Sequence, residues 1–175
     1  MDGIKRGTGL CHVYWGDGKG KTTAAMGLAL RALGSGLRVT VVQFLKDGQS
    51  GELAPLRRLG AKVYSGAPGM KFAYQMTPKE RAAACAEHTS LLEAALKEPC
   101  DMLVLDEACA ACQLGMVEEA LLKKAVCGRP QGTEVVLTGR QPAQWMLETA
   151  DYSTEMCCRR HPYEQGVAAR KGVEF

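Results

Sequence analysis

The stretch Trp15-Gly16-Asp17-Gly18-Lys19-Gly20-Lys21-Thr22-Thr23 constrains this chain more than any other. An apolar run, Leu10 to Trp15, leads into it, and an amphipathic segment beginning at Thr22 leaves it. A glycine-rich turn between a strand and a helix is the local form of a phosphate-binding loop. Glycines let backbone N–H groups converge on an anion, where a side chain would block close approach. The helix that follows aims its free N–H groups and the positive end of its dipole at the same place. Lys21 is placed to reach phosphate oxygens, and the Thr22 hydroxyl to hold a magnesium ion. The loop departs from the usual G-x-x-x-x-G-K-[ST] spacing by one residue, because Trp15 stands where the first glycine belongs and the glycine is Gly16. The bland alternative is a Gly/Lys-rich surface turn.

A length of 175 residues suffices for one domain with a real core and falls short of two ordinary ones, so residues 1–175 are read as a single domain. No apolar run approaches the ~20 residues of a membrane span, and residues 1–9 carry basic groups without the apolar stretch of a secretory signal. The eight cysteines are scattered. Without an export signal they read as reduced thiols of a cytoplasmic protein. A net charge of +3 with no concentrated basic stripe argues against a nucleic-acid partner, and no membrane association is expected.

Taken in order, residues 10–15 read as the first strand and 22–34 as the first helix, with Ala24, Ala25, Leu28, Ala29 and Ala32 as a small-residue packing face. Arg38 to Leu45 is a β-rich run long enough for a buried parallel strand. Strand, loop, helix and strand thus fit within a βαβ unit. Lys46 to Glu52 is a polar loop at that strand's carboxyl end, where open α/β sheets bind ligands. Leu53–Leu59 reads as a short helix and Ala61–Ser65 as a short strand. Residues 66–76 alternate Met70, Phe72, Tyr74 and Met76; such an apolar loop either packs on the core or binds something. Thr77-Pro78-Lys79-Glu80 is a capping box opening a helix to about Lys97, with His88 on or near its inward face, read as a helix-surface or core-edge histidine with no partner evident. Val117–Cys127 reads as a helix, Glu134–Leu137 as a strand, Pro142–Thr149 as a short helix and Tyr152–Met156 as a last strand. These elements predict an α/β fold of the P-loop (RecA-like) type. It has three α/β/α layers around a mostly parallel central sheet of about six strands.

Two further stretches carry chemistry. Asp101–Glu107 is an apolar strand ending in two acids, Asp106 and Glu107; with a phosphate loop in the same sheet it delivers carboxylates to magnesium, directly or through water. Its alternative is simple capping of the next helix. Arg140, after Thr138-Gly139 at a strand end, suits triphosphate oxygens. Cys109 and Cys112 have C-x-x-C spacing, but no second pair or nearby histidine completes a zinc site, so they read as small residues of a packed helix. The tail from Arg159 is either a solvated terminus or a cover for the ligand site.

Together these residues resemble a known family. The loop Gly16 to Thr23, the run Val41 to Lys46, Val104-Leu105-Asp106-Glu107, Thr138-Gly139-Arg140 and the tail His161-Pro162-Tyr163 through Arg170 to Phe175 are similar to the CobA/CobO/BtuR type of ATP:corrinoid adenosyltransferase, in consistent order from about residue 10 onward. The resemblance implies attack of cob(I)alamin or a related corrinoid on the 5′ carbon of ATP, with release of triphosphate. It also implies that ATP lies with its phosphates reversed in the loop, which gives a motive for the short spacing. By resemblance Gly16, Asp17, Gly18, Lys19, Gly20, Lys21, Thr22, Thr23 and Arg140 bind ATP, with Asp17 near the ribose. Thr22, Glu107 and Asp106 serve Mg2+, and Lys21 and Arg140 stabilise the leaving triphosphate. Met70 and Phe72 stand where the family carries aromatic residues against the lower face of the corrin, excluding its axial ligand. The family is typically homodimeric, and the resemblance leaves room for an electron-donor protein such as a flavodoxin. Nine residues before the first strand leave little for the N-terminal arm that some members carry. Two rivals differ in class: an ordinary P-loop ATPase or small-molecule kinase, and a non-catalytic corrinoid or nucleotide carrier.

Overall fold

Six short runs rich in Val, Leu and Thr pair into one sheet in a computed structural model that describes residues 9–66, 69 and 73–174. They are β1 (Cys11–Trp15), β2 (Val39–Gln43), β3 (Lys62–Ser65), β4 (Met102–Asp106), β5 (Glu134–Gly139) and β6 (Tyr152–Glu155). The order is β3-β2-β4-β5-β1-β6, and every neighbouring pair is parallel. The expected three-layer α/β architecture is therefore present.

Side-chain alternation divides the core between two faces. In β4, Met102 and Val104 pack with α1 (Lys21–Gly34) and α2 (Leu53–Arg58), through Ala25, Met26, Ala29 and Leu56. Leu103 and Leu105 point the other way, toward α3 (Pro78–Leu96), α4 (Ala108–Gln113), α5 (Glu119–Cys127) and α6 (Gln144–Thr149). The central strands are apolar on both sides because helices cover both. Alanines let α1 lie close to the sheet. Each full burial of a Leu or Val side chain contributes roughly 1.5–3 kcal/mol.

The capping box at α3 forms as expected: Thr77 Oγ1 accepts from the Glu80 N–H, and the Glu80 carboxylate accepts from the Thr77 N–H. The strand expected over Arg38–Leu45 is shorter, Val39–Gln43. Its carboxyl end is cut off by Leu45, which takes a left-handed φ of 56°. The helix expected from Val117 begins at Glu119.

β1 sends α1 toward β2 on one face, while β5 sends α6 across to β6 on the other. Neighbouring strands whose connections diverge leave a crevice at their carboxyl ends, where such sheets hold ligands. β5 lies between the strand feeding the glycine loop and the strand carrying Asp106.

Candidate active site at the carboxyl edge of the sheet

The glycine loop leaves β1 and is closed from two sides by backbone. The Gly16 N–H donates to the Arg140 carbonyl at 3.1 Å, and the Gly18 N–H to the Met156 carbonyl at 2.6 Å. A Cβ at Gly16 would lie 2.5 Å from the Met156 carbonyl oxygen, and one at Gly18 would lie 2.6 Å from it. The glycines thus let the chain following β6 pack directly on the loop. Asp17 fixes the same chain: its carboxylate accepts from the Cys158 N–H at 2.9 Å. That bond holds the Asp17 carboxyl below its ordinary range.

Lys21 folds back over the loop, its Nζ donating to the Gly18 carbonyl at 2.6 Å. Burial pushes its ammonium pKa down, Glu107 works against that shift, and Arg140 adds to it. Thr22, in the first turn of α1, points its hydroxyl at Asp106 Oδ1, 2.8 Å away. Thr23 is exposed.

Asp106 is fully buried and organises the floor of the site. Oδ1 accepts from Thr22 and from Thr138 of β5, at 2.8 and 2.7 Å. Oδ2 accepts from Lys46 at 2.6 Å and from Gln43 of β2 at 3.1 Å. Four donors from α1, β2, β5 and the β2–α2 loop therefore converge on one carboxylate. A buried charge persists only when paired and hydrogen-bonded, and this one is both. Lys46 Nζ also comes within 3.4 Å of Thr22 Oγ1.

Glu107 follows in a left-handed conformation, φ 60° and ψ 20°. Its N–H donates to Thr138 Oγ1 at 2.9 Å. Burial raises the Glu107 pKa and neighbouring Asp106 adds to that, against the cations Lys46, Lys21 and Arg140. No hydrogen bond to its carboxylate forms among the described residues. A partly buried carboxylate without a hydrogen-bond partner among the described residues fits a magnesium ion, which takes one or two carboxylates and completes its shell with phosphate oxygens and water. Among the described residues no cluster of three His, Cys, Asp or Glu forms a protein-only metal cage.

A cavity of about 740 Å³ opens beside Thr22, Thr23 and Lys46, with Met26 and Leu56 on its apolar wall. Gly172 to Glu174, exposed like the rest of the tail from Arg159, form part of its rim. Lys19 Nζ reaches the Val173 carbonyl at 3.4 Å, and Arg170 grips the Glu174 carboxylate, which it holds down at about 2. The volume lies in the range of small-molecule sites.

Residues 7–175 match the family model for ATP:corrinoid adenosyltransferase BtuR/CobO/CobP. The chain belongs to this family. Its activity is that of the family, transfer of an adenosyl group from ATP to a corrinoid. A corrinoid adenosyltransferase of Pseudomonas aeruginosa is 38% identical over 170 residues, spanning 95% of this chain and 84% of that protein. The Escherichia coli K12 corrinoid adenosyltransferase is 34% identical over 169 residues, 95% and 86% of the two chains. The corrinoid adenosyltransferase CobA of Salmonella typhimurium is 34% identical over 171 residues with the same coverage.

In this family member the structure brings together Gly16 to Thr23, Asp106 and Glu107, with exposed Arg140 at the loop's flank. Met70 and Phe72 lie outside the described residues. Sequence reasoning missed the Gln43 and Thr138 bonds to Asp106 and the backing of the loop by 156–158. It noted Lys46 only as part of a motif and as the first residue of the polar loop after β2. The one available signal was a polar or charged side chain at the carboxyl end of each central strand.

Proposed function

We propose that the chain catalyses substitution at the 5′ carbon of ATP by the cobalt(I) of a reduced cobalamin or related corrinoid. A Co–C5′ bond forms, the C5′–O bond breaks with its electron pair leaving on oxygen, and triphosphate departs. Cobalt(I) supplies its own electron pair, so no protein base is needed. The protein's tasks are in-line placement and stabilisation of the leaving polyphosphate. What carries this reading is family membership across residues 7–175, and the shortened loop supports it: three residues separate Gly16 from Gly20.

In this reading the N–H groups of Gly16 to Thr23 cradle the triphosphate, with Lys19, Lys21 and Arg140 neutralising it. Lys21 exchanges its bond to the Gly18 carbonyl for phosphate oxygens. Thr22 and Glu107 hold Mg2+, which supplies positive charge to the polyphosphate. Asp106 acts through water and by orienting the Thr22 hydroxyl, since both its oxygens already accept two hydrogen bonds. Asp17 lies at the ribose end. Met70 and Phe72 form the corrinoid floor, a reading that rests on their sequence position alone. A homodimer, a cytoplasmic setting and cobalt reduction by an electron donor such as a flavodoxin complete the proposal. No helix among the described residues is long and apolar enough to cross a membrane.

The test is to mix the protein with ATP, magnesium and chemically reduced cobalamin and follow the absorbance of the corrinoid. A spectrum of alkylated cobalt that requires ATP is expected. An unchanged cobalt(I) spectrum would refute the proposal. In Phe72→Ala, reaction from cob(II)alamin plus reductant should fall; full activity there would remove the floor assignment.

A further inference from the structure

His88 lies in the middle of α3, wholly buried, and no step described above uses it. Its ring is held at both nitrogens: Nδ1 lies 2.8 Å from the Met116 carbonyl, and Nε2 lies 3.3 Å from the Leu45 N. A carbonyl can only accept and an N–H can only donate, so the ring is neutral with its proton on Nδ1. Burial, which disfavours the imidazolium, agrees with this state. The Phe44 ring meets His88 edge to face at 5.7 Å and fixes its plane.

The residue whose N–H it accepts is unusual. Leu45 and Glu107 are the two non-glycine residues with left-handed φ among those described, at 56° and 60°. Such conformations cost of order 1–3 kcal/mol and persist where surrounding contacts impose them. Both lie just past the carboxyl ends of the neighbouring strands β2 and β4. Each surrenders its N–H to a side chain from another element: Glu107 to Thr138 Oγ1, Leu45 to His88 Nε2. Each also precedes or bears a charged group of the site. At Leu45 the chain leaves the sheet after the Phe44 N–H has made its bond to the Asp106 carbonyl at 3.0 Å. The turn brings Lys46 back across β4 to Asp106 and the Thr22 hydroxyl.

We propose that His88 is a positioning residue for the nucleotide site: it holds the left-handed turn at Leu45 that aims Lys46 at the first turn of α1, where Lys46 meets the polyphosphate. The inference rests on the nucleotide reading above and adds two residues to it, one touching substrate and one acting through it. Lys46 waits on Asp106 and borders the cavity beside Thr22 and Thr23. From there a short movement carries a flexible ammonium to an anion bound at the helix terminus.

Two substitutions separate positioning from mere filling of the core. His88→Gln places a carbonyl oxygen near the Nε2 position and keeps an acceptor for Leu45. His88→Asn keeps a donor near Nδ1 for Met116 and loses that acceptor. Steady-state adenosylation of reduced cobalamin, read as KM for ATP against kcat together with the thermal unfolding midpoint, gives the answer. The proposal expects His88→Asn to raise KM for ATP by roughly tenfold, the scale of removing one charge-assisted hydrogen bond to the bound nucleotide. It expects His88→Gln to recover most of that loss at a similar unfolding midpoint. It also expects Lys46→Met to raise KM alike, and the His88→Asn/Lys46→Met double variant to be no worse than Lys46→Met alone. Equal losses in Asn and Gln that follow stability, or additive losses in the double variant, would overturn it. Should His88→Asn not fold, Lys46→Met decides: an unchanged KM for ATP leaves nothing to be positioned. Wild-type turnover is the control for the proposed function itself, so absence of adenosylation there is a different failure from a wild-type KM in the variants.

Discussion

Two regions hold the glycine loop, and they do so by opposite means. Beneath it, Asp106 gathers Thr22, Thr138, Gln43 and Lys46 in a buried network tying four elements together. Beside and above it, exposed contacts hold the chain that follows β6 and the tail: Asp17 to Cys158, Lys19 to Val173, Arg170 to Glu174. The same kinds of groups differ in consequence because water competes for the second set and is excluded from the first. The buried set fixes geometry. The exposed set can open for a substrate at little cost.

That contrast is broken most severely at its centre. Asp106→Ala leaves the Lys46 ammonium and three neutral donors without their acceptor. Breaking one side of a buried pair costs about 3–5 kcal/mol, so denaturant unfolding should show a loss on that scale together with loss of adenosylation. A loss below about 1 kcal/mol, the level of an exposed pair, would mean the network is solvated. Lys21→Ala comes next: kcat/KM should fall roughly 10²–10³-fold, as for removal of one transition-state donor, with the unfolding midpoint little changed. Thr138→Val, which removes one bond to Asp106 and the acceptor for the Glu107 N–H, should cost about 1–3 kcal/mol in unfolding.

Glu107 sharpens the comparison by changing sign. Its folded pKa is raised, chiefly by burial, so the folded state favours the protonated acid. Stability from that preference is fully present below the ordinary value of 4.5 and is lost as pH rises through the higher folded pKa. Glu107→Gln should therefore gain stability over wild type progressively above pH 4.5, while losing magnesium-dependent activity. A constant difference across that window would contradict the assignment. The smallest effect is expected on the exposed side. Asp17→Ala loses the bond to the Cys158 N–H, whose stabilisation is present at neutral pH, and should lower the unfolding midpoint only slightly while altering the KM for ATP.

Much of this was legible in the sequence, for reasons that are local. The glycine loop, the capping box at Thr77 and Glu80, the doubly apolar central strands and the two acids after β4 are each written within a few consecutive residues. The family resemblance was readable from motifs of the same kind. What was not legible depends on where the chain turns at Leu45 and Glu107, conformations that side-chain propensity disfavours. Lys46 reaches Asp106 only because Leu45 is left-handed. His88, read as a helix-surface or core-edge residue, is instead wholly buried, because its partners are the backbone groups of Leu45 and Met116, which no residue identity displays. The backing of the loop by 156–158 uses backbone groups of that segment, the Met156 carbonyl and the Cys158 N–H, which lie far along the chain from Gly18 and Asp17.

The central claim is that this site holds ATP by its phosphates to expose a carbon, not a phosphorus, to attack. Product analysis of one reaction tests it: protein, ATP, magnesium and chemically reduced cobalamin, with the nucleotide products separated by ion-exchange chromatography. The account predicts intact triphosphate in equal amount to the adenosylated corrinoid. ADP and phosphate in its place would contradict it.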